Sequence, residues 1–132
     1  RVALGENLDQ AVRLGLKPEG GFAESPYAFT EADLLRGKAL YQSFCAICHG
    51  ARGEGDGRAI PLGVPKPRSY HDPAVRDQPE GYFYFAATNG FGRMLPYKSR
   101  IPERERWLIA HYIKRCLLSE ACPEEVVHAE VH

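Results

Sequence analysis

The 132-residue sequence predicts an all-α domain whose helices are joined by long loops. Two stretches carry apolar residues at helical spacing behind recognisable helix starts, and a third, rich in glycine and proline, has no periodicity at all. Thirteen Gly and ten Pro reinforce the expectation of few regular elements with extended connections.

The first 29 residues read as an extension packed on the domain. Glu6 to Leu16 sets Leu8, Val12 and Leu16 four apart, the spacing of a short amphipathic helix. Lys17-Pro18-Glu19-Gly20-Gly21 and Ser25-Pro26 follow as turn and extended chain, and Phe22, Tyr27 and Phe29 are too aromatic for a solvated linker. A helix starts at Thr30, a capping residue, with Glu31 and Asp33 suiting the dipole of its first turn. Leu34, Gly37, Ala39, Leu40, Tyr41 and Phe44 carry it into Cys45. Gly50 to Pro67 holds five Gly and three Pro in eighteen positions, a long loop of the kind that usually has a function. Gly81 to Asn89 is aromatic enough for a strand, but Pro79-Glu80 and Asn89-Gly90 are a helix start and stop, so helix is expected. Pro102 to about Leu118 forms a strong helix with Leu108, Ile109, Tyr112, Ile113, Cys116 and Leu117 along one face. Residues 30–118 then make the domain, and 119–132 an acidic tail expected to be irregular or frayed. No internal repeat is present.

Composition narrows the function. Seventeen Lys+Arg balance seventeen Asp+Glu, which argues against a nucleic-acid binder. No apolar run approaches the roughly 20 residues needed to span a bilayer. No signal peptide is recognisable, and Arg1 is not an initiator Met, so a processed or trimmed chain is expected.

Cys45-Ala46-Ile47-Cys48-His49 is C-x-x-C-H, the attachment signature of c-type haem. On a helix, positions i and i+3 share a face, so two thiols there can form thioethers with the two vinyl groups of one porphyrin while His49 turns to the iron. A thioredoxin-like redox pair would follow a strand and has no need of the His. A zinc site would want a second Cys/His pair, which Cys116 and Cys122, six apart, do not supply. A chance match in a structural helix is the remaining reading.

Haem iron has a sixth position. Met94 is the only Met, in a glycine-bearing loop 45 residues after His49, and its soft thioether suits reduced iron. The competing readings are a gap-filling core Met, a histidine ligand (His71, His111, His128 or His132, of which His71 is the serious rival) or a vacant site.

With these residues in view, Thr30 to Leu118 resembles the class I cytochromes c, and the expected fold is theirs: crossing N- and C-terminal helices with long loops wrapping one covalent haem c. Gly37, Tyr41 and Cys45 match the family's small residue and aromatic before the haem motif, and the resemblance implies helix contacts through Gly37, Ile109 and Tyr112. Ala87 to Asn89-Gly90, Met94-Leu95-Pro96-Tyr97 and Ile101-Pro102 to Trp107 look most like the monohaem cytochromes associated with alternative complex III and caa-type haem–copper oxidases of respiratory bacteria. Leu95 between Met94 and Pro96 departs from relatives that place Pro directly after the Met. The resemblance implies that a proline carbonyl orients His49, with Pro65 the candidate and Pro61 and Pro67 the alternatives. Arg68, Tyr70, Arg76 and Trp107 are candidate donors to the propionates, and Phe83, Phe85, Phe91 and Tyr97 candidate pocket walls.

Haem c is attached where disulfides persist, so Cys116 and Cys122 are expected to pair across a turn; the alternative is a buried Cys116 thiol with Cys122 free or intermolecular. The implied function is a monomeric one-electron carrier between a quinol:cytochrome c oxidoreductase and a haem–copper oxidase, not an enzyme. The expected location is the periplasm or the outer face of the bacterial cytoplasmic membrane, reached through partners or an anchor preceding Arg1. A haem-bearing subunit of a periplasmic oxidoreductase, or a sensor with a labile sixth ligand, is the alternative. Arg93, Lys98, Arg100, Arg104, Arg106, Lys114 and Arg115 form a basic stretch with only Glu103 and Glu105 among them, a candidate surface for steering acidic partners.

Overall fold

The computed structural model describes residues 13–131. Its helices are α1 (Glu31–Phe44), α2 (Ala46–His49), α3 (Pro73–Arg76), α4 (Glu80–Asn89), α5 (Glu103–Tyr112), continued by a wider π turn over Ile113–Leu117, and α6 (Glu124–His128). Extended pairing among the described residues amounts to two isolated bridges, Leu16 with Phe22 and Phe91 with Met94, so the fold is all-α as expected. The helix expected over Glu6–Leu16 falls largely outside the described residues.

Thr30 starts α1 with a reciprocal cap: its hydroxyl accepts from Asp33 N at 3.1 Å, and its own N–H donates to the Asp33 carboxylate at 2.9 Å. α1 and α5 cross where Gly37 leaves room. A Cβ at Gly37 would stand 3.2 Å from Leu108 Cγ, Leu108 O and Tyr112 Cβ, tighter than ordinary contact. The crossing therefore runs through Leu108 and Tyr112. Ile109, expected there, is turned instead to the wall of a cavity. Tyr41, Trp107, Leu108 and Val126 are buried around this contact.

Residues 13–23 lie against α4, while Tyr27 and Phe29 reach α5, where Tyr27 OH donates to Glu103 at 2.8 Å and the Phe29 ring lies 5.3 Å from that of His111. Ala23 N donates to Gly15 O at 2.8 Å and Gly81 N donates to Ala23 O at 2.7 Å. Gly81 is required by this approach: a Cβ would come within 2.8 Å of Ala23 N and 2.5 Å of Ala23 O, and closer still to Gly15 O. Phe22 meets Tyr82 and Phe85 edge-on at 5.4 and 5.7 Å.

The tail is more ordered than its composition suggests. Cys116 and Cys122 form a disulfide with Cα atoms 4.5 Å apart. α6 follows and buries Val126 completely. Lys38 of α1 donates to the carbonyls of Val126, Val127 and Ala129 at 2.7, 3.0 and 2.8 Å. These carbonyls cluster at the end of α6, where Val126 O also accepts from Ala129 N at 3.3 Å, and an ammonium with three donors suits them.

Candidate functional site

The C-x-x-C-H residues sit at the α1–α2 junction and are held by the loop that follows. Gly55 N donates to His49 O at 2.8 Å, Gly57 N to Cys48 O at 3.1 Å and Ala59 N to Ile47 O at 3.0 Å. Tyr41 OH donates to Gly50 O at 2.7 Å, tying α1 to the same turn. The long loop thus folds back as a backbone cradle for α2, which explains why it carries glycine instead of apolar periodicity.

Cys45, Cys48 and His49 open onto a cavity of about 840 Å³. Both thiols are free, unlike the Cys116–Cys122 pair. Burial pushes the Cys45 thiol up to about 12, with the nearby Cys48 adding to the effect. His49 stacks on Tyr70 with ring centroids 4.7 Å apart, and burial lowers its pKa to about 4, so its imidazole is neutral and able to ligate. Burial also raises Tyr70 and Tyr97, keeping both phenols protonated.

Met94 lines the same cavity. Its loop is pinned by paired bonds between Phe91 and Met94, 3.2 and 2.9 Å, and by Tyr97 N donating to Ala87 O at 2.8 Å. None of the rival histidines that the structure describes reaches the cavity. His71 lies 2.8 Å from Arg52 O, His111 2.8 Å from Glu80 and His128 3.0 Å from Glu124. His132 falls outside the described residues.

Of the other expected residues, Pro65, Pro67, Arg68, Tyr70, Phe83, Phe91 and Tyr97 are on the cavity wall. Four, Pro61 among them, are elsewhere. Trp107 is fully buried and stacked on Tyr84 at 4.2 Å, because α5 turns that face to α4 and not to the cavity. Arg76 points away beside Asp77, 3.5 Å distant, and Phe85 packs under Phe22. The Pro65 carbonyl does not receive His49 Nδ1, which is buried with no hydrogen-bond partner, and Pro61 does not line the cavity. Lys66 and Arg93 were not foreseen on the wall, nor was Tyr82. Lys66 Nζ donates to Gly55 O at 2.9 Å.

These residues fit a haem. The wall is mostly apolar and aromatic, and its charged members, Lys66, Arg68 and Arg93, are all cations, as a group with an apolar body and two carboxylates requires. The competing chemistries fit less well. Among the described residues no strand precedes the Cys pair, and no group of three or more His, Cys, Asp or Glu suited to a metal ion occurs.

The family model for cytochrome c oxidase, cbb3-type, subunit III matches residues 32–113. The chain belongs to that family. It is a c-type cytochrome, a haem-bearing electron-transfer protein whose haem is covalently bound. Among solved structures, the "Kuenenia stuttgartiensis reducing HAO-like protein complex Kustc0457/Kustc0458" is similar with a TM-score of 0.55 and 24% identity, over 79% of this cytochrome. The aligned part is 52% of that chain, so this cytochrome corresponds to about half of it. The "KustC0563 c-type cytochrome" aligns over 59% of this chain and 93% of its own, with a TM-score of 0.49 and 21% identity. No curated protein matches significantly. No helix among the described residues is long and apolar enough to cross a membrane.

Proposed function

We propose that this cytochrome is a monohaem one-electron carrier whose iron is held by His49 and Met94 and whose porphyrin is bonded to Cys45 and Cys48. The observation that carries the reading is that the only Met of the chain shares one cavity with the C-x-x-C-H residues, while the described rival histidines do not. When bound, haem c supplies a ferric/ferrous couple that thioether ligation biases toward the ferrous state. The chain's part is to hold His49 neutral, to offer Lys66, Arg68 and Arg93 to the propionates, and to exclude water with Tyr70, Phe83 and Tyr97.

In this reading the protein works outside the bacterial cytoplasmic membrane, taking electrons from a quinol-oxidising complex and passing them to a haem–copper oxidase. Phe91 and Leu95, 61% and 67% exposed, flank Met94 at the cavity and offer an apolar contact to such partners. The charged part of that contact is narrower than the basic stretch of the sequence. Arg106 is buried, Arg104 lies 3.4 Å from Asp33, Lys114 donates to Arg76 O, and Arg115 donates to Ala121 O. Lys98 and Arg100 remain, with the cavity cations Lys66, Arg68 and Arg93, as steering charges.

Absorption spectroscopy of the ferric holoprotein tests the ligand set. A weak far-red thioether–iron charge-transfer band, lost in Met94→Ala, is the expected result. Avid carbon monoxide binding by the reduced native protein would instead favour an oxidoreductase subunit or a sensor. Reduction by candidate quinol-oxidising complexes and re-oxidation by candidate oxidases test the position in the chain.

A further inference from the structure

Arg106 is a buried cation whose identified hydrogen-bond partners are all uncharged. Its Nε donates to Thr88 Oγ1 at 3.0 Å, one terminal nitrogen donates to Lys98 O and Ile101 O at 3.0 and 2.6 Å, and the other donates to Tyr84 OH at 3.2 Å. Four of the five guanidinium N–H donors are thereby used. The group also lies 5.4 Å from the centroid of the Tyr84 ring, which is itself stacked on Trp107.

The positions of these partners matter more than their number. Thr88 is in the last turn of α4, immediately before the loop that carries Met94. Lys98 and Ile101 lie immediately after it. Arg106 therefore grips the outgoing and the returning stem of residues 89–97 from one rigid planar fork anchored in α5. A buried guanidinium is costly unless its donors are met, and an apolar side chain would fill the same space at less cost. What an apolar side chain cannot do is fix the separation and angle of two stems at once.

We propose that Arg106 is a positioning residue for Met94, clasping both stems of its loop so that the thioether is presented to the cavity in one geometry. The inference rests on Met94 as the sixth ligand, but the clasp itself can be read without that ligand.

The test uses the full-length holoprotein with Arg106→Gln, Arg106→Lys and Thr88→Val, and Val126→Ala as a destabilising change remote from the loop. Two quantities are read: the pH at which the ferric protein loses its far-red band, and hydrogen exchange at the Gly90, Phe91, Met94 and Tyr97 amides, all bonded in the native loop. Arg106→Gln is expected to lower the midpoint by about one pH unit, a tenfold weaker preference for the thioether. Its loop amides should exchange at least about tenfold faster while those of α1 do not change. Arg106→Lys, which keeps the charge but loses the fork, should fall between, and near-isosteric Thr88→Val should shift both readings less, in the same direction. An unmoved midpoint and unmoved loop exchange in Arg106→Gln would overturn the proposal, as would an equal midpoint shift in Val126→Ala. If Arg106→Gln is not recovered folded, Thr88→Val decides in the same way. If the native protein lacks the band, the Met94 reading fails alone; loop-selective exchange still supports the clasp, and uniform acceleration overturns it.

Discussion

Replacing Lys38 with Met should loosen the C-terminal segment, and the size of the effect can be bounded from the structure. The ammonium makes three short bonds to the carbonyls of Val126, Val127 and Ala129. At about 1.5–3 kcal/mol for each charged hydrogen bond, simple addition suggests more than about 4 kcal/mol. Two effects lower this figure. Burial already holds the Lys38 pKa below its usual value, so part of the gain is spent on desolvation. The segment after the disulfide can also peel away and let water reach the carbonyls, so the loss cannot exceed the free energy of its docking. Val126, wholly buried, is the main apolar contribution to that docking, worth about 1.5–3 kcal/mol. A loss of about 2–3 kcal/mol is therefore expected for Lys38→Met in urea unfolding of the holoprotein. Hydrogen exchange at the Val126, Val127 and Ala129 amides, each bonded in the native tail, should rise far more than at α1. Because both side chains hold the same segment, Lys38→Met and Val126→Ala should be non-additive, the double variant losing less than the sum. Native-like protection of the tail amides in Lys38→Met, or strict additivity, would refute this account.

Three further outcomes are expected. Gly81→Ala gains about 1 kcal/mol of helix propensity but must displace the backbone at Gly15 and Ala23, and overpacking of this kind costs about 1–3 kcal/mol; exchange at the Ala23 amide should therefore rise while the α1–α5 crossing stays protected. Changing Cys116 and Cys122 together to Ser opens a loop of six-residue separation and should cost about 2 kcal/mol in the chain-entropy estimate, read as a lower urea midpoint with unchanged haem absorption. Tyr27 is raised to about 12 by burial and then by its bond to Glu103, 2.8 Å away. The folded state thus keeps this proton longer than the unfolded one, so its contribution is complete below about pH 10 and lost as pH rises through about 12. Ultraviolet titration of Glu103→Gln should show one phenol ionising at lower pH than in the native protein, and no change would contradict that cause.

The parts of the fold and site that the sequence revealed are those written in local chemistry. C-x-x-C-H specifies spacing on one helix face, the Thr30 cap and the Pro before α5 mark helix starts, and a solitary Met draws attention by its rarity. What stayed hidden depends on partners distant in the chain. Leu108 and Ile109 are adjacent apolar residues, and only the packing of α5 decides which meets Gly37 and which meets the cavity. Trp107 reads in the sequence as a donor to the propionates, while the aromatic face of α4 claims it. Arg106 stands in a run of charges, and its partners include two backbone carbonyls, which have no residue signature. The tail looked unstructured because acidic residues dominate it, yet its fastening is supplied by a lysine about ninety positions earlier.

The segment seated along α4 also shows where a shortened version of this chain would fail. Its attachment combines main-chain bonds with three aromatic side chains, Phe22 on α4 and Tyr27 and Phe29 on α5, and it precedes residue 32, where the family match begins. Trimming the chain to the matched residues would leave the Gly81 N–H without its acceptor and uncover the Tyr82 and Phe85 rings where Phe22 now sits. Such a fragment would retain every haem-contacting side chain assigned above and still acquire an adhesive flank, so its poor solubility would be a fault of the cut and not of the cofactor site.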